Sequence, residues 1–221
     1  MKLTVAASMV LLSIPAFGDY RFDTPDIYQA DASAMPAWAH MLERHASERP
    51  VVANCLAAEE ACAGRLKGLR HIILKGANLD RDDQLRLVNR YINKRRYRRD
   101  RKQVSLSVAD GGQAKLRNQW STLLEFLDRG GDCEDYATAK YFLLRELGFP
   151  ATDMRVVISY DRSVRAHHAV LAVRRDDGSS WLLELDNTIR KKRQRGYRFI
   201  YAINESSIWD HKGISAKADG P

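Results

Sequence analysis

Residues 129–150 read RGGDCEDYATAKYFLLRELGFP. Two glycines break the chain, an acid–cysteine–acid–acid run follows, and apolar positions recur until Gly148 and Pro150 end the pattern. The spacing predicts a helix over Cys133 to Leu147 with the cysteine in its first turn. A thiol attacks as its thiolate, and the unpaired amides and dipole of a first turn favour negative charge there. Gly130-Gly131 lets the backbone turn sharply and approach closely, and the Cys133 N–H is placed to be one donor of an oxyanion hole.

Upstream of this stretch the sequence is helical. A pattern starts near Pro36 with Trp38, Met41 and Leu42 on one face, and Leu56 to Leu74 and Asp83 to Tyr97 read as further amphipathic helices. Arg101 to Gln119 lacks periodicity and reads as a loop leading into Trp120 and a short helix from Ser121 to Leu127. Downstream the period changes. Met154 to Tyr160, His168 to Val173, Trp181 to Leu185 and Tyr197 to Ile203 are short runs rich in branched and aromatic residues, hence strands, with Asp176-Asp177-Gly178 as a hairpin signal. N-terminal helices followed by an antiparallel sheet give an α+β fold of the papain-like or transglutaminase-like kind.

The two middle strands supply partners for the cysteine. Residues two apart on a strand share a face, so His168 aligns with Val170 and Ala172, and Leu182 with Glu184 and Asp186. A hairpin turning at Asp177-Gly178 lays the start of one strand beside the end of the other, which brings His168 near Asp186. Cys133, His168 and Asp186 are thus the expected nucleophile, base and orienting carboxylate. His167 is the competing base and faces the other side of the sheet.

Bulk properties fit one exported domain. The 221 residues suffice for a single buried core, and 45% hydrophobic with 29% charged residues excludes a disordered chain. Residues 1–18 carry Lys2, an apolar run and small residues Ala16 and Gly18, the pattern of a cleavable secretory signal. The run is shorter than the ~20 apolar residues that span a bilayer, and no second follows, so membrane insertion is not expected. Residues 19–35 read as a polar lead, 36–205 as the domain and 206–221 as a fraying tail. A net charge of +8 favours an acidic partner, and export argues against nucleic acid. The basic runs Lys94 to Lys102 and Arg190 to Arg198 are candidates for such a contact. Three cysteines in an oxidising compartment leave one unpaired. Cys55 and Cys62 can pair only if a helix breaks between them, with Glu59-Glu60 as the candidate break.

Trp120, Gly131-Asp132-Cys133-Glu134-Asp135-Tyr136-Ala, Lys140-Tyr141, Leu147-Gly148, His168-Ala-Val-Leu and Leu185-Asp186-Asn187 stand together in a way that resembles the bacterial transglutaminase-like cysteine proteinases, the family of the LapG-type periplasmic proteases. Val88-Asn89, Asn93 and Tyr97-x-x-Asp100 fit as well, and the likeness runs over residues 36 to 204. The resemblance implies a periplasmic Cys-His-Asp endopeptidase that cuts the N-terminal region of a large surface adhesin and so releases a biofilm. It further implies an inner-membrane receptor that senses a cyclic dinucleotide and sequesters the protease. Ca²⁺ is implied too, bound by acids flanking the nucleophile, here Asp132, Glu134 and Asp135. Three carboxylates fall short of the roughly 6–8 oxygens Ca²⁺ takes, so carbonyls or water must complete such a site. An ion there also offsets the negative charge that otherwise raises the Cys133 pKa. Trp120 either lends an indole N–H to the oxyanion and lines the substrate pocket or anchors the core.

Two other functions use the same residues. The thioester of a Cys-His-Asp site can meet an amine, giving transglutaminase or peptidoglycan amidase chemistry. Alternatively the triad is vestigial and the protein is a calcium-dependent binding module.

Overall fold

A computed structural model describes residues 20–23, 28–99, 104–107, 113–116, 120–191 and 196–211. Residues 1–18, read as a signal from the sequence, lie outside these residues, as do Asp100 and parts of the two basic runs. In chain order the elements are β1 (Tyr28–Asp31), α1 (Pro36–Ala57), α2 (Arg65–Gly76), α3 (Arg81–Asn93), β2 (Val104–Ser107) and β3 (Gln113–Leu116). There follow α4 (Leu123–Arg129), α5 (Cys133–Glu146), β4 (Met154–Asp161), β5 (Ala166–Arg174), β6 (Ser180–Leu183), β7 (Ile189–Arg190), β8 (Tyr197–Ile203) and β9 (Ser207–Asp210). The result is α+β, as the sequence predicts: among the described residues, five α-helices precede every strand but β1 of an antiparallel sheet of seven strands, ordered β1-β9-β8-β4-β5-β6-β7.

α5 is the centre of the molecule. Every residue from Glu134 to Leu144 is buried, because the helix lies on β5 and β4 with α3 and α4 at its flanks. A helix covered on all sides must be apolar nearly all round, which the run Tyr141-Phe142-Leu143-Leu144 provides. The sheet separates two apolar layers by its period of two. Ala169, Leu171 and Val173 join the main core under the helices, while Val170 and Ala172 face a smaller cluster with Tyr20, Phe22, Leu182 and Trp209.

That outer cluster corrects the expectation of a polar lead and a fraying tail. β1 pairs with β9, Tyr28 opposite Asp210, so the first and last described strands lie side by side, with β1 at the edge of the sheet. Arg155 holds them with its guanidinium 3.6 Å from the Trp209 ring centre and 4.8 Å from that of Phe22. Such long-range pairing of short strands leaves little local pattern to read. A second correction concerns 101–119, where β2 and β3 form a hairpin within the stretch read as a loop. A third is the helix expected over Leu56 to Leu74: α1 ends at Ala57, a 3₁₀ turn covers Glu59–Ala61, and α2 starts only at Arg65. This is the break that the Cys55–Cys62 disulfide requires, and the bond is present with Cα atoms 4.7 Å apart.

Candidate active site

Cys133 opens α5 after Asp132, which follows two glycines that leave no room for a side chain. A Cβ on Gly130, whose φ is +71°, would lie 2.0 Å from the Arg96 carbonyl oxygen, and one on Gly131 2.1 Å from an Asp135 carboxylate oxygen. The chain after α3 docks here: Arg98 donates its amide to the Gly131 carbonyl at 2.8 Å, and the Tyr136 hydroxyl donates to the Arg95 carbonyl. Asp135 holds the turn from the other side. One of its oxygens accepts the Ser121 amide at 2.7 Å and the other the Asp132 amide at 3.2 Å.

The thiol itself is crowded by acids. Cys133 Sγ donates to Glu134 Oε2 at 3.2 Å. Burial and then the Glu134 carboxylate push the thiol pKa far up, against the pull of the helix start and of the Ala169 amide, which donates to the sulfur. Glu134 is raised to about 8, first by burial and then by the neighbouring Asp132 carboxylate. The dipole argument drawn from the sequence therefore loses here to desolvation and like charge.

The thiol reaches a notch of the sheet at Ala169, the neighbour of His168, and no hydrogen bond joins Cys133 to the His168 ring among the described residues. The β5–β6 ladder pairs Leu171 with Leu183 and stops there, so the Ala169 amide, two residues on, turns to Cys133 Sγ instead of to a strand. Next to Ala169, His168 shares a hydrogen bond of 2.8 Å between its Nε2 and Glu184 Oε2. Glu184 has a side chain only 4% exposed, and its other oxygen accepts from Arg190 Nε at 2.7 Å and from the Tyr197 hydroxyl at 2.9 Å. Burial raises the Glu184 pKa, but His168, Tyr197 and Arg190 outweigh it and the net shift is downward. His167 is exposed and pairs its ring edge-on with Tyr160 at 5.6 Å, across the sheet from His168.

Asp186 is placed differently from the sequence expectation. Continued, the register would set it opposite His168, yet β6 ends at Leu183 and the chain turns back so that the Glu184 amide bonds the Thr188 carbonyl at 3.0 Å. Within this turn Asn187 adopts a φ of +67°, and Asp186 Oδ1 accepts from the Thr188 amide at 3.0 Å and its hydroxyl at 2.6 Å. The carboxylate on His168 is that of Glu184, a residue placed on the right strand face by alternation but passed over for the next acid along. The Asp-x-Thr pattern, which closes such turns, is the signal that could have found it.

Trp120 is 2% exposed and packs edge-to-face on Trp38 at 5.0 Å, so its ring sits in the core. Among the described residues no three His, Cys, Asp or Glu side chains converge as a ready metal cage. Asp132 and Glu134 nevertheless fit a hard cation. They are oxygen donors close enough to raise one pKa to about 8, whereas Asp135 is engaged by two backbone amides.

A cysteine-led helix lying on an antiparallel sheet, with a His–carboxylate pair at the strand ends, defines the transglutaminase-like α+β class. The chain belongs within it to the bacterial transglutaminase-like cysteine proteinases, BTLCP, whose family model matches residues 46–211. Among solved structures it is similar to Legionella pneumophila LapG in its calcium-bound form, at 23% identity over 73% of this chain and 88% of that one, with a TM-score of 0.58. A second structure of Legionella pneumophila LapG gives 24% identity, 76% and 92% coverage and a TM-score of 0.58. An EGTA-treated form gives 22%, 72% and 84%, and 0.57. At these identities the likeness carries the fold. No curated protein gives a significant match.

Proposed function

We propose that this chain is a periplasmic, calcium-dependent cysteine endopeptidase that cuts the N-terminal region of a large surface adhesin, with Cys133 as nucleophile and His168 as base. The carrying observation is the notch at the end of β6, where the Cys133 sulfur takes the amide next to His168 while Glu184 holds the far ring nitrogen. The substrate, and control by a membrane receptor for a cyclic dinucleotide, rest on the family. The calcium-bound and EGTA-treated LapG forms support the ion.

With Nε2–H donated to Glu184, Nδ1 of His168 is the nitrogen left to take the proton from Cys133 Sγ. Sulfur then bonds to the scissile carbonyl carbon, and the oxyanion rests on the Cys133 N–H. The imidazolium returns its proton to the amine as the C–N bond breaks. Water, deprotonated by His168, hydrolyses the thioester and frees the thiol. Asp132 and Glu134 are the residues that would hold calcium, whose charge offsets the acids that raise the thiol pKa. Asp186 is a second reading for the orienting carboxylate, favoured because the β5–β6 register, if continued past Leu183, would set it opposite His168.

The test incubates residues 19–221 with the N-terminal segment of a large surface adhesin, with calcium or with a chelator. Cutting that needs calcium and vanishes in Cys133→Ala is the expected result. No cutting under any condition, with Cys133 still reactive to alkylation, would move the activity to amine transfer or amidase chemistry.

A further inference from the structure

The turn that carries Glu184 and Asp186 is held by three side chains from two helices. Asn93 Nδ2 of α3 donates to the Glu184 carbonyl at 2.8 Å, and Lys140 Nζ of α5 donates to that same oxygen at 2.8 Å and to the Leu183 carbonyl at 3.5 Å. Asn89, one turn before Asn93, donates to the Thr188 carbonyl at 3.2 Å, and Asn93 also donates to Asn89 Oδ1 at 3.3 Å. Both ends of the turn, Glu184 and Thr188, are thus pinned to α3. Lys140 ties the first end to α5 as well.

We propose that Asn89, Asn93 and Lys140 are positioning residues that fix the distance between the nucleophile and the carboxylate orienting its base; this rests on the function proposed above. Lys140 lies seven residues after Cys133 on α5, two turns along the same side and about 10 Å along the axis. One rigid helix therefore starts with the sulfur and, two turns on, grips the backbone of Glu184. The site needs this because β6 ends at Leu183, and past that point no sheet hydrogen bond to β5 holds Glu184 in place. A lysine 1% exposed is an expensive way to bind two carbonyls, since burial outweighs the Glu184 and Asp186 carboxylates and pulls its pKa down to about 7. An apolar residue would fill the space and leave the turn ungripped.

The test alkylates Cys133, the sole cysteine outside the disulfide, with iodoacetamide across a pH range in the presence of calcium. It uses residues 19–221 and the variants Lys140→Met, Asn93→Ala, Asn89→Ala and Glu184→Gln. The parent chain is expected to react faster than a peptide thiol at neutral pH. Each clamp variant with a native circular dichroism spectrum should lose about 10- to 100-fold of that rate, and its pH profile should move toward that of Glu184→Gln. Asn89→Ala and Asn93→Ala keep the test open if Lys140→Met fails to fold. Folded variants that keep the parent rate and profile, and lose only melting temperature, would overturn the clamp alone. A parent chain no faster than a peptide thiol would remove the proposed function and the clamp with it.

Discussion

Two pairs of acids, one on each side of the notch, have opposite fates. Asp132 and Glu134 flank the nucleophile, and burial together with their closeness raises Glu134 to about 8. Glu184 and Asp186 stand on the side of the base and both are lowered. Glu184 is lowered despite burial by His168, Tyr197 and Arg190, and Asp186 by the Thr188 hydroxyl and amide. The same residue type is thus stored as a partly protonated acid in one place and as a fixed anion a few residues from the base in the other. The first pair is the one suited to the proposed cation, while in the second Glu184 is held by His168, Arg190 and Tyr197 and Asp186 by Thr188.

The sharpest way to break this contrast lies within the second pair. Glu184→Gln should lower turnover by about 10⁴-fold, the scale seen when an orienting carboxylate is made neutral, while Asp186→Asn should cost less than about tenfold. Adhesin cleavage rates for both variants decide it, and the reverse order would give the orienting role to Asp186. In the first pair, Glu134→Gln should weaken calcium by on the order of tenfold or more, read by isothermal titration, because a ligand charge is lost. An unchanged affinity would take Glu134 out of the ion site.

Smaller effects come from pH. Calcium must displace the proton on Glu134, so its affinity should fall by up to about tenfold per pH unit below the Glu134 value of about 8 and level off above it. Without calcium the sign for stability is the reverse. A carboxyl raised in the folded state is charged more cheaply in the unfolded chain, so the chelated protein should lose stability as pH rises from the ordinary value of 4.5 through about 8. A melting point lower by on the order of 5 °C at the alkaline end, restored by calcium, is the expected calorimetric result.

The nucleophile side was readable in the sequence because its signals are local. Gly130-Gly131, the acids around Cys133 and the stop at Gly148-Phe-Pro150 all act within a few residues of one another, and α5 starts and ends within a residue of the expected place. The base side was readable up to one step. Alternation put His168 and Glu184 together and the hairpin register is the expected one, but Asp186 lies beyond the end of β6 in a turn with Thr188. What it could not convey is where β6 stops, since that depends on Asn89, Asn93 and Lys140 arriving from elsewhere in the chain. The edge strand β1 and its neighbour β9 were hidden for the same reason: Tyr28 and Asp210 meet only in three dimensions.

The disulfide between Cys55 and Cys62 leaves Cys133 as the chain's single thiol. If peroxide oxidises it to a sulfenic acid, no second cysteine of the same chain can condense with it, and further oxidation is irreversible. Susceptibility follows thiolate character, and Glu134 and burial keep the resting sulfur protonated. The burial and the acids that raise the Cys133 pKa therefore also lower the sulfur's susceptibility to oxidation.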